Sequence, residues 1–557
     1  MLFLLFLVSG SVHSQTPQLL TGFPKLIDSI NVPLYAGASI IIADFNRDGF
    51  NDMLFSLRGG KTFLLNRDGS PFNNWPVNIS DFTPITAAGD IDGDGYLDIV
   101  VKTYYNLVAY NYQGNLLPGF PVNLTGTNNL QRHLALYNLI GDSKLEIITV
   151  SLNKVYAFNS TGNLLQGWPR TLPGIPNKTY TPPISIGDLN NDNIPEIIVP
   201  SSYCEQMQPC DSNQINIFEP DGSNFPNWPV VTDSNYEYFS TPASIYKSSN
   251  PDSSYIVINS NKCINPACDA ACRTSRYSTN GILLNRYNTL NSLYTGPVAL
   301  GNVNNDNILE QCFGAEPQPV YLFNQNGMMF NGWPVLGYGY YYHSPNLGKL
   351  SNQMNIITLL RYVDSTGGYI FVYNPDGSQP PWSPLRPQGM PGSSPTICDL
   401  NNDGQVDMVV LIHSLPSRTL LYAWTFPGIT YTRENFPWPM WGHDRYRTFQ
   451  YGFIPPDEVI GIQPISNTVP EKFELYQNYP NPFNPSTTIA FDIVRSGKIK
   501  LTIYDVMGKV VTELVNENVI AGKYKLSWDG GQYSSGVYYY ALETDAYRNA
   551  KKMVLIK

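Results

Sequence analysis

Charge is scarce in this chain: Asp, Glu, Lys and Arg make up 14% of its 557 residues, and histidine appears only five times. The balance is acidic, with a formal net charge of −10. Nucleic acid would demand a basic stripe, so no such partner is expected. No sustained helical periodicity runs through the chain. Beyond the N-terminus, no segment is long and apolar enough to span a bilayer as a helix. The motifs of zinc proteases, serine hydrolases, P-loop enzymes and dinucleotide enzymes are also missing. Past the first 14 residues only His133, His343, His413 and His443 remain. A lone histidine is more often packed than catalytic, because acid–base work needs a positioned partner.

The N-terminus reads MLFLLFLVSGSVHSQ, an apolar run too short to cross a membrane that ends in the small residues Val12 and Ser14. No Lys or Arg precedes the run, but the pattern still reads as a secretory signal over residues 1–14. Cysteine usage agrees with export. Cys204 and Cys210 bracket one polar insertion, and Cys263, Cys268 and Cys272 crowd another. Disulfides across surface insertions suit an oxidising compartment, and the spacing misses the usual zinc patterns. Cys312 and Cys398 fall in or beside strands and are expected to be buried thiols.

What the chain repeats is an acidic loop. The best copy is Asp90-Ile-Asp-Gly-Asp-Gly-Tyr-Leu-Asp98, and variants begin at Asp44, Asp188, Asn302 and Asp399. Positions 1, 3, 5 and 9 carry oxygen side chains. They are Asp44, Asn46, Asp48 and Asp52; Asp90, Asp92, Asp94 and Asp98; and Asp188, Asn190, Asp192 and Glu196. The last two sets are Asn302, Asn304, Asp306 and Glu310, and Asp399, Asn401, Asp403 and Asp407. The position-7 carbonyls of Phe50, Tyr96, Ile194, Ile308 and Gln405 would complete each set. Oxygens at this spacing suit a hard cation such as calcium. Position 6 is Gly or Asn, residues that accept a left-handed backbone. Up to five calcium sites are expected, the Asn302 loop being the weakest because it carries only two carboxylates. An EF-hand would put Glu at position 12 and a helix beyond. Position 12 here is apolar, and the residues after each loop (DMLFSL, DIVVKT, EIIVPS, EQCFGA, DMVVLI) read as buried strands.

A second landmark counts the repeats independently. Asx-Gly turns lead to aromatic-Pro steps: Asn66 to Gly69 then Trp75-Pro76, Asn111 to Gly114 then Phe120-Pro121, Asn159 to Gly162 then Trp168-Pro169. Pro220 to Gly222 precedes Trp228-Pro229, Asn324 to Gly327 precedes Trp333-Pro334, and Pro375-Asp-Gly377 follows. Such turns are strong hairpin signals. The turn also appears where the acidic loop has decayed, as Thr279-Asn-Gly281, and Pro427-Gly428 takes the equivalent place in the last unit. Acidic loops have decayed near residues 138–146, 245–258 and 347–357. The expected fold class is all-β: a seven- or eight-bladed β-propeller, eight favoured, followed by a small sandwich.

The loops and the strands after them resemble FG-GAP/VCBS repeats, the calcium-binding blades also found in integrin α-subunit heads, over about residues 35–450. The Phe436-Pro-Trp-Pro-Met-Trp-Gly-His443-Asp segment resembles the motif that often ends such bacterial propellers. The resemblance implies a calcium-stabilised propeller over residues 15–451. The calcium is expected to be structural, since bound cations would hold together acidic turns that otherwise repel.

A Pro-rich stretch over residues 452–472 reads as a linker. Residues 473–557 then alternate strands with Gly, Asn and Pro turns, as in an Ig-like sandwich. Tyr479 to Pro485, Tyr504 to Gly508, Ser535 to Tyr538 and Lys552 to Lys557 closely resemble the type A C-terminal sorting domain of the type IX secretion system. That resemblance implies a bacterial protein handled by the type IX machinery. It implies a secreted chain, released or attached to the outer cell surface after the tail is removed. The favoured expectation for the cargo is a non-catalytic binding or adhesion propeller with glycans or surface proteins as partners. The alternative is a calcium-dependent polysaccharide lyase or other glycoside-degrading enzyme. Tyr104, Tyr105 and the stretch Gly337 to His343 are candidate sugar-stacking residues, against a packing role between blades.

Overall fold

The computed structural model describes residues 16–28, 39–48, 50–79, 84–124, 133–142, 144–176, 178–203, 212–232, 237–239, 241–248, 250–262, 272–289, 294–316, 319–335, 344–351, 353–364, 367–414, 418–453, 455, 462–466, 470, 472–484, 486–495, 497–519, 521–530 and 533–556. The expected signal segment, Cys204, Cys210, Cys263, Cys268 and the tyrosine-rich stretch 337–343 lie outside these residues. No helix among the described residues is long and apolar enough to cross a membrane.

The chain is all-β. The apolar run after each acidic loop forms a strand: Asp52–Leu57, Asp98–Lys102, Glu196–Tyr203, Glu310–Glu316 and Gln405–Ser414. Each pairs antiparallel with a short strand before the loop, so the loop is a strand-to-strand turn as its spacing suggests. The first sheet is Ile41–Ala43, Asp52–Leu57, Lys61–Leu65 and Val77–Asn78 in that order. Seven further small sheets follow among the described residues before position 452. Their first strands are Ile85–Gly89, Ala135–Tyr137, Ser185–Gly187, Ser244–Tyr246, Ala299–Gly301, Asn346–Gly348 and Thr396–Cys398.

Successive sheets touch, and the apolar clusters lie between them. Ile41, Leu54 and Leu64 of the first sheet pack with Ala88, Ile99 and Val101 of the second. Burial from both sides explains why Asp98–Lys102 is buried along its whole length and shows no polar alternation. The first strands contact one another in order from Ile85–Gly89 to Thr396–Cys398, which in turn touches Ile41–Ala43. A cluster of Met53, Phe55 and Leu57 with Val409, Leu411 and Leu421 joins the eighth sheet to the first.

Two expectations change here. Pro427-Gly428 is not a hairpin turn. It lies inside the long strand Arg418–Thr430, where the pairing slips between Gln405 and Val406 as a bulge. The outer strands of that sheet come instead from the N-terminus: Gln18–Leu19 and Lys25–Asp28 both pair with Arg418–Thr430. Thr21-Gly-Phe23-Pro24 is thus one more aromatic-Pro step. Secondly, the proline-rich stretch expected as a linker contributes a strand, Ile462–Ser466, paired with Gly522–Asp529.

The aromatic-Pro steps join neighbouring sheets. Trp75 Nε1 donates to Tyr112 O at 2.8 Å, Trp168 Nε1 to Pro220 O at 2.8 Å and Trp228 Nε1 to Thr279 O at 2.8 Å. Trp333 Nε1 does the same to Pro375 O at 2.7 Å. Each indole therefore satisfies a carbonyl in the Asx-Gly turn of the next sheet. Gly167, at φ +89°, lies so close to Asp221 O that an added Cβ would sit 1.9 Å from it. Glycine is required there by both conformation and space.

Residues 435–451 run along the first strands of most sheets. Asn435 O and Trp438 O accept from Lys349 and Leu347, and Pro439 O accepts from Ile397. Arg445 O accepts from Ala88, Tyr446 O from Leu136, Thr448 O from Ile186 and Phe449 O from Ile245, all at 2.9–3.1 Å. Gln450–Tyr451 pairs in parallel with Ser244–Tyr246. Trp438, Trp441, Tyr446, Arg447 and Phe449 are almost fully buried. The Arg447 guanidinium donates to Ser39 Oγ and Ser39 O, each at 3.1 Å, to Thr86 O at 3.3 Å and to Trp441 O.

The C-terminal residues form two four-stranded sheets. Leu475, Phe491 and Trp528 from one and Leu501, Tyr540 and Met553 from the other share a core.

Candidate metal centres

Five loops hold the expected ligands, and a common hydrogen-bond frame builds them. The position-9 carboxylate accepts the position-2 N–H: Asp52 from Phe45 at 3.1 Å, Asp98 from Ile91 at 3.0 Å and Glu196 from Leu189 at 2.6 Å. Glu310 accepts from Val303 and Asp407 from Leu400, each at 2.8 Å. The position-5 carboxylate accepts the position-7 N–H in the same way. Asp48 accepts from Phe50 at 2.9 Å, Asp94 from Tyr96 at 2.8 Å and Asp192 from Ile194 at 2.7 Å. Asp306 accepts from Ile308, and Asp403 from Gln405, at 2.8 Å. Position 1 caps the turn: Asp90 takes Gly93 and Gly95 N–H, Asp188 takes Asn191 and Asn193, and Asp399 takes Asp403 and Gly404. Asp44 and Asn302 each accept the position-5 N–H at 3.1 Å.

Position 6 has positive φ, as expected, at Gly95, Asn193, Asn307 and Gly404. Position 4 does too, at Arg47, Gly93, Asn191, Asn305 and Asn402, which the spacing did not reveal. Another feature missed is position 2. Phe45, Ile91, Leu189, Val303 and Leu400 are buried core residues, so the loop is pinned from below. An apolar residue at that place in every copy was the available signal. The same frame survives where ligands have decayed: Leu139 N–H donates to Glu146 at 2.8 Å and Leu350 N–H to Asn355 Oδ1 at 3.0 Å. Position 9 therefore serves the fold as well as any ion.

The loops differ in what they bring together. Asp90, Asp92 and Asp98 each place a carboxylate oxygen within 4.8 Å of the others, the one such acidic group among the described residues. Oxygens bound to one calcium at about 2.3–2.6 Å cannot lie much farther apart than this. Asp94 is not part of that group. In the other four loops position 3 is Asn. Asn46, Asn190, Asn304 and Asn401 donate through Nδ2 to Asp48, Asp192, Asp306 and Asp403 at 2.9–3.0 Å, holding positions 3 and 5 side by side.

The donor set fits a divalent cation on a further observation. Asp98 Oδ1 and Glu196 Oε1 are buried and have no hydrogen-bond partner, and a buried polar atom left alone is costly. Burial pushes Asp52, Asp98 and Glu196 up to about 8, and Asp407 and Glu310 up to about 7. Neighbouring acids add to each rise, and the position-2 N–H opposes it. A cation would supply the missing partner and charge.

Three histidines lie among the described residues, and all three are buried. His133 is fully buried, with Nε2 2.9 Å from Thr181 Oγ1, and burial beside Lys102 holds it neutral. His443 faces Trp438 edge-on and bridges Asp444 Oδ2 at 3.1 Å and Gly452 N–H at 3.3 Å. His413 is buried as well. Cys312 and Cys398 are buried free thiols, and Cys272 is buried. Tyr104 and Tyr105 occupy a hairpin between strands, with Tyr105 52% exposed and so not packed between sheets.

Comparison with known proteins agrees with two segments. Residues 477–557 match the secretion system C-terminal sorting domain, and residues 44–101 match an FG-GAP-like repeat. No curated protein matches the chain. Among solved structures, the V. cholerae biofilm matrix protein Bap1 is similar over 76% of this chain and 94% of its own, at 13% identity and a TM-score of 0.40. BBS1N in complex with ARL6DN is similar over 74% of this chain and 97% of its own, at 12% identity and a TM-score of 0.40. The chain therefore carries an FG-GAP-like repeat and ends in a sorting domain that marks it for secretion by the type IX system.

Proposed function

We propose that residues 16–453 form an eight-bladed, calcium-stabilised β-propeller that works as a secreted, non-catalytic binding or adhesion module. Support for eight blades comes from the contacts of the first strands, which lead from sheet to sheet and back to Ile41–Ala43. The N-terminal strands complete the last sheet by pairing with Arg418–Thr430. Unit 1 meets them as other units meet their predecessors: Gly69 sits against Lys25, as Gly114 sits against Asn74.

The observation that carries the functional reading is the course of residues 435–451. Trp438, Trp441, Tyr446, Arg447 and Phe449 are buried where this segment bonds to the first strands. In a propeller such a segment would fill the central channel and leave the outer hairpins and loops as the binding surface, with the exposed Tyr105 as one contact for a sugar ring or a protein. The carboxylates at positions 1, 3, 5 and 9 and the position-7 carbonyls would hold calcium, which supplies positive charge to turns that otherwise repel. The sorting tail provides the route out of the cell, with release or attachment at the outer surface as its end.

The test is incubation of the calcium-loaded full chain with a panel of plant and microbial polysaccharides, following retention and chain length together. Retention without shortening is expected for at least one polymer. Shortening of any polymer would overturn the non-catalytic reading. Absence of retention throughout would remove glycans as the partner class.

A further inference from the structure

Three of the eight turns that follow a first strand have lost the acidic pattern, and each carries a lysine: Lys144, Lys247 and Lys349. Each belongs to a sheet that follows one with an acidic loop. Lys247 stands directly after Ser244–Tyr246, the place that Asp44, Asp90 and Asp188 take after their own strands. Its ammonium lies 2.5 Å from Asp188 Oδ2 in the preceding loop.

The contact is held from both sides. Asn191 Nδ2, inside the acidic loop, donates to Ser248 O at 2.9 Å, and Ser248 N–H donates to Ser254 Oγ at 2.9 Å. The backbone that carries Lys247 is thus clipped to the loop its side chain neutralises. At the far end of that loop Glu196 is fully buried, and its Oε1 has no partner.

We infer that Lys247 is a tethered counter-cation for the Asp188 loop. Its ammonium, delivered from the neighbouring sheet, keeps this loop folded without a divalent ion and sets its calcium affinity below that of the Asp90 loop. The inference rests on the metal reading above. Two cations drawn to the same carboxylate repel, so removing the ammonium strengthens the hold on an ion while weakening the ion-free loop.

Calcium binding and thermal melting of the full chain test this in the wild type, Lys247→Met and Lys247→Arg. In chelator, Lys247→Met melts about 1 °C lower than wild type. Saturating calcium restores it, and one site tightens about tenfold. Lys247→Arg, which keeps the charge, behaves as wild type. A Lys247→Met melt unchanged in chelator overturns the inference, and so does a drop that calcium fails to restore. A wild-type melt indifferent to calcium would by itself sink the metal reading of the other loops. In that background, a calcium response gained by Lys247→Met still supports the counter-cation, and none gained overturns it.

Discussion

Asp98 shows how one side chain serves two ends. Oδ2 accepts the Ile91 N–H at 3.0 Å, while Oδ1 is buried and unpartnered. Asp98→Asn keeps an acceptor for Ile91 and removes the charge. Its melt in chelator should match or exceed wild type, and its calcium response should shrink. Asp98→Ala also strands the Ile91 N–H, costing about 1–3 kcal/mol, and should melt lower with or without calcium. Equal behaviour of the two variants would deny the division of labour. The same carboxylates give the ion-free protein a pH dependence. Asp52, Asp98 and Glu196 titrate at about 8 when folded, against 3.8 for free Asp and 4.5 for free Glu. Between those limits the folded state binds more protons than the unfolded state, so stability falls as pH rises. In chelator the melting temperature should therefore drop from pH 5 to pH 8, and calcium should offset more at pH 8. A flat melt over that window, with chelator present, would contradict these shifts.

Among the elements, residues 435–451 join sheets that are remote in sequence. Arg447 is fully buried and spans Ser39, Thr86 and Trp441, and burial lowers it to about 10 despite the nearby Asp444. A guanidinium kept charged there is stabilised by those carbonyls and by Asp444, which itself holds Tyr446 N–H at 2.8 Å and the Thr448 hydroxyl. Arg447→Met leaves the buried carbonyls of Ser39, Thr86 and Trp441 without this donor, an expected loss of roughly 1–3 kcal/mol. Chemical denaturation of the full chain checks this, and a loss well under 1 kcal/mol would show the segment to be peripheral. The motif around Trp438 to Asp444 was read in the sequence as an ending. That it also threads the first strands was not, because its partners at Ser39, Leu136, Ile186 and Ile245 lie far away in sequence.

For the whole molecule, the first and last parts of the repeat region meet in one sheet. Removing residues 16–28 strips Arg418–Thr430 of its outer partners and exposes part of the cluster around Leu411 and Leu421, against which Leu20, Phe23 and Ile27 pack. The shortened chain should lose cooperative melting and become sensitive to proteolysis near residues 405–430. Wild-type melting and resistance would show that the N-terminal strands are dispensable.

Much of this protein was determined by its sequence alone. Oxygen residues at positions 1, 3, 5 and 9 with Gly or Asn at position 6 define a turn whose internal frame bonds reach no farther than seven residues, so the loops and the strands after them could be read locally. The sorting tail was legible for the same reason, being one continuous stretch matched over residues 477–557. What only the tertiary structure decided involves distant partners. It chose the N-terminus over Pro427-Gly428 for the outer strands of the eighth sheet, and it set Lys247 on Asp188. It also gathered Asp90, Asp92 and Asp98 while leaving Asp94 aside. Local spacing shows which groups can meet within one turn. Packing across sheets decides which carboxylates are buried, which are neutralised by a neighbour, and which oxygens are left without a partner.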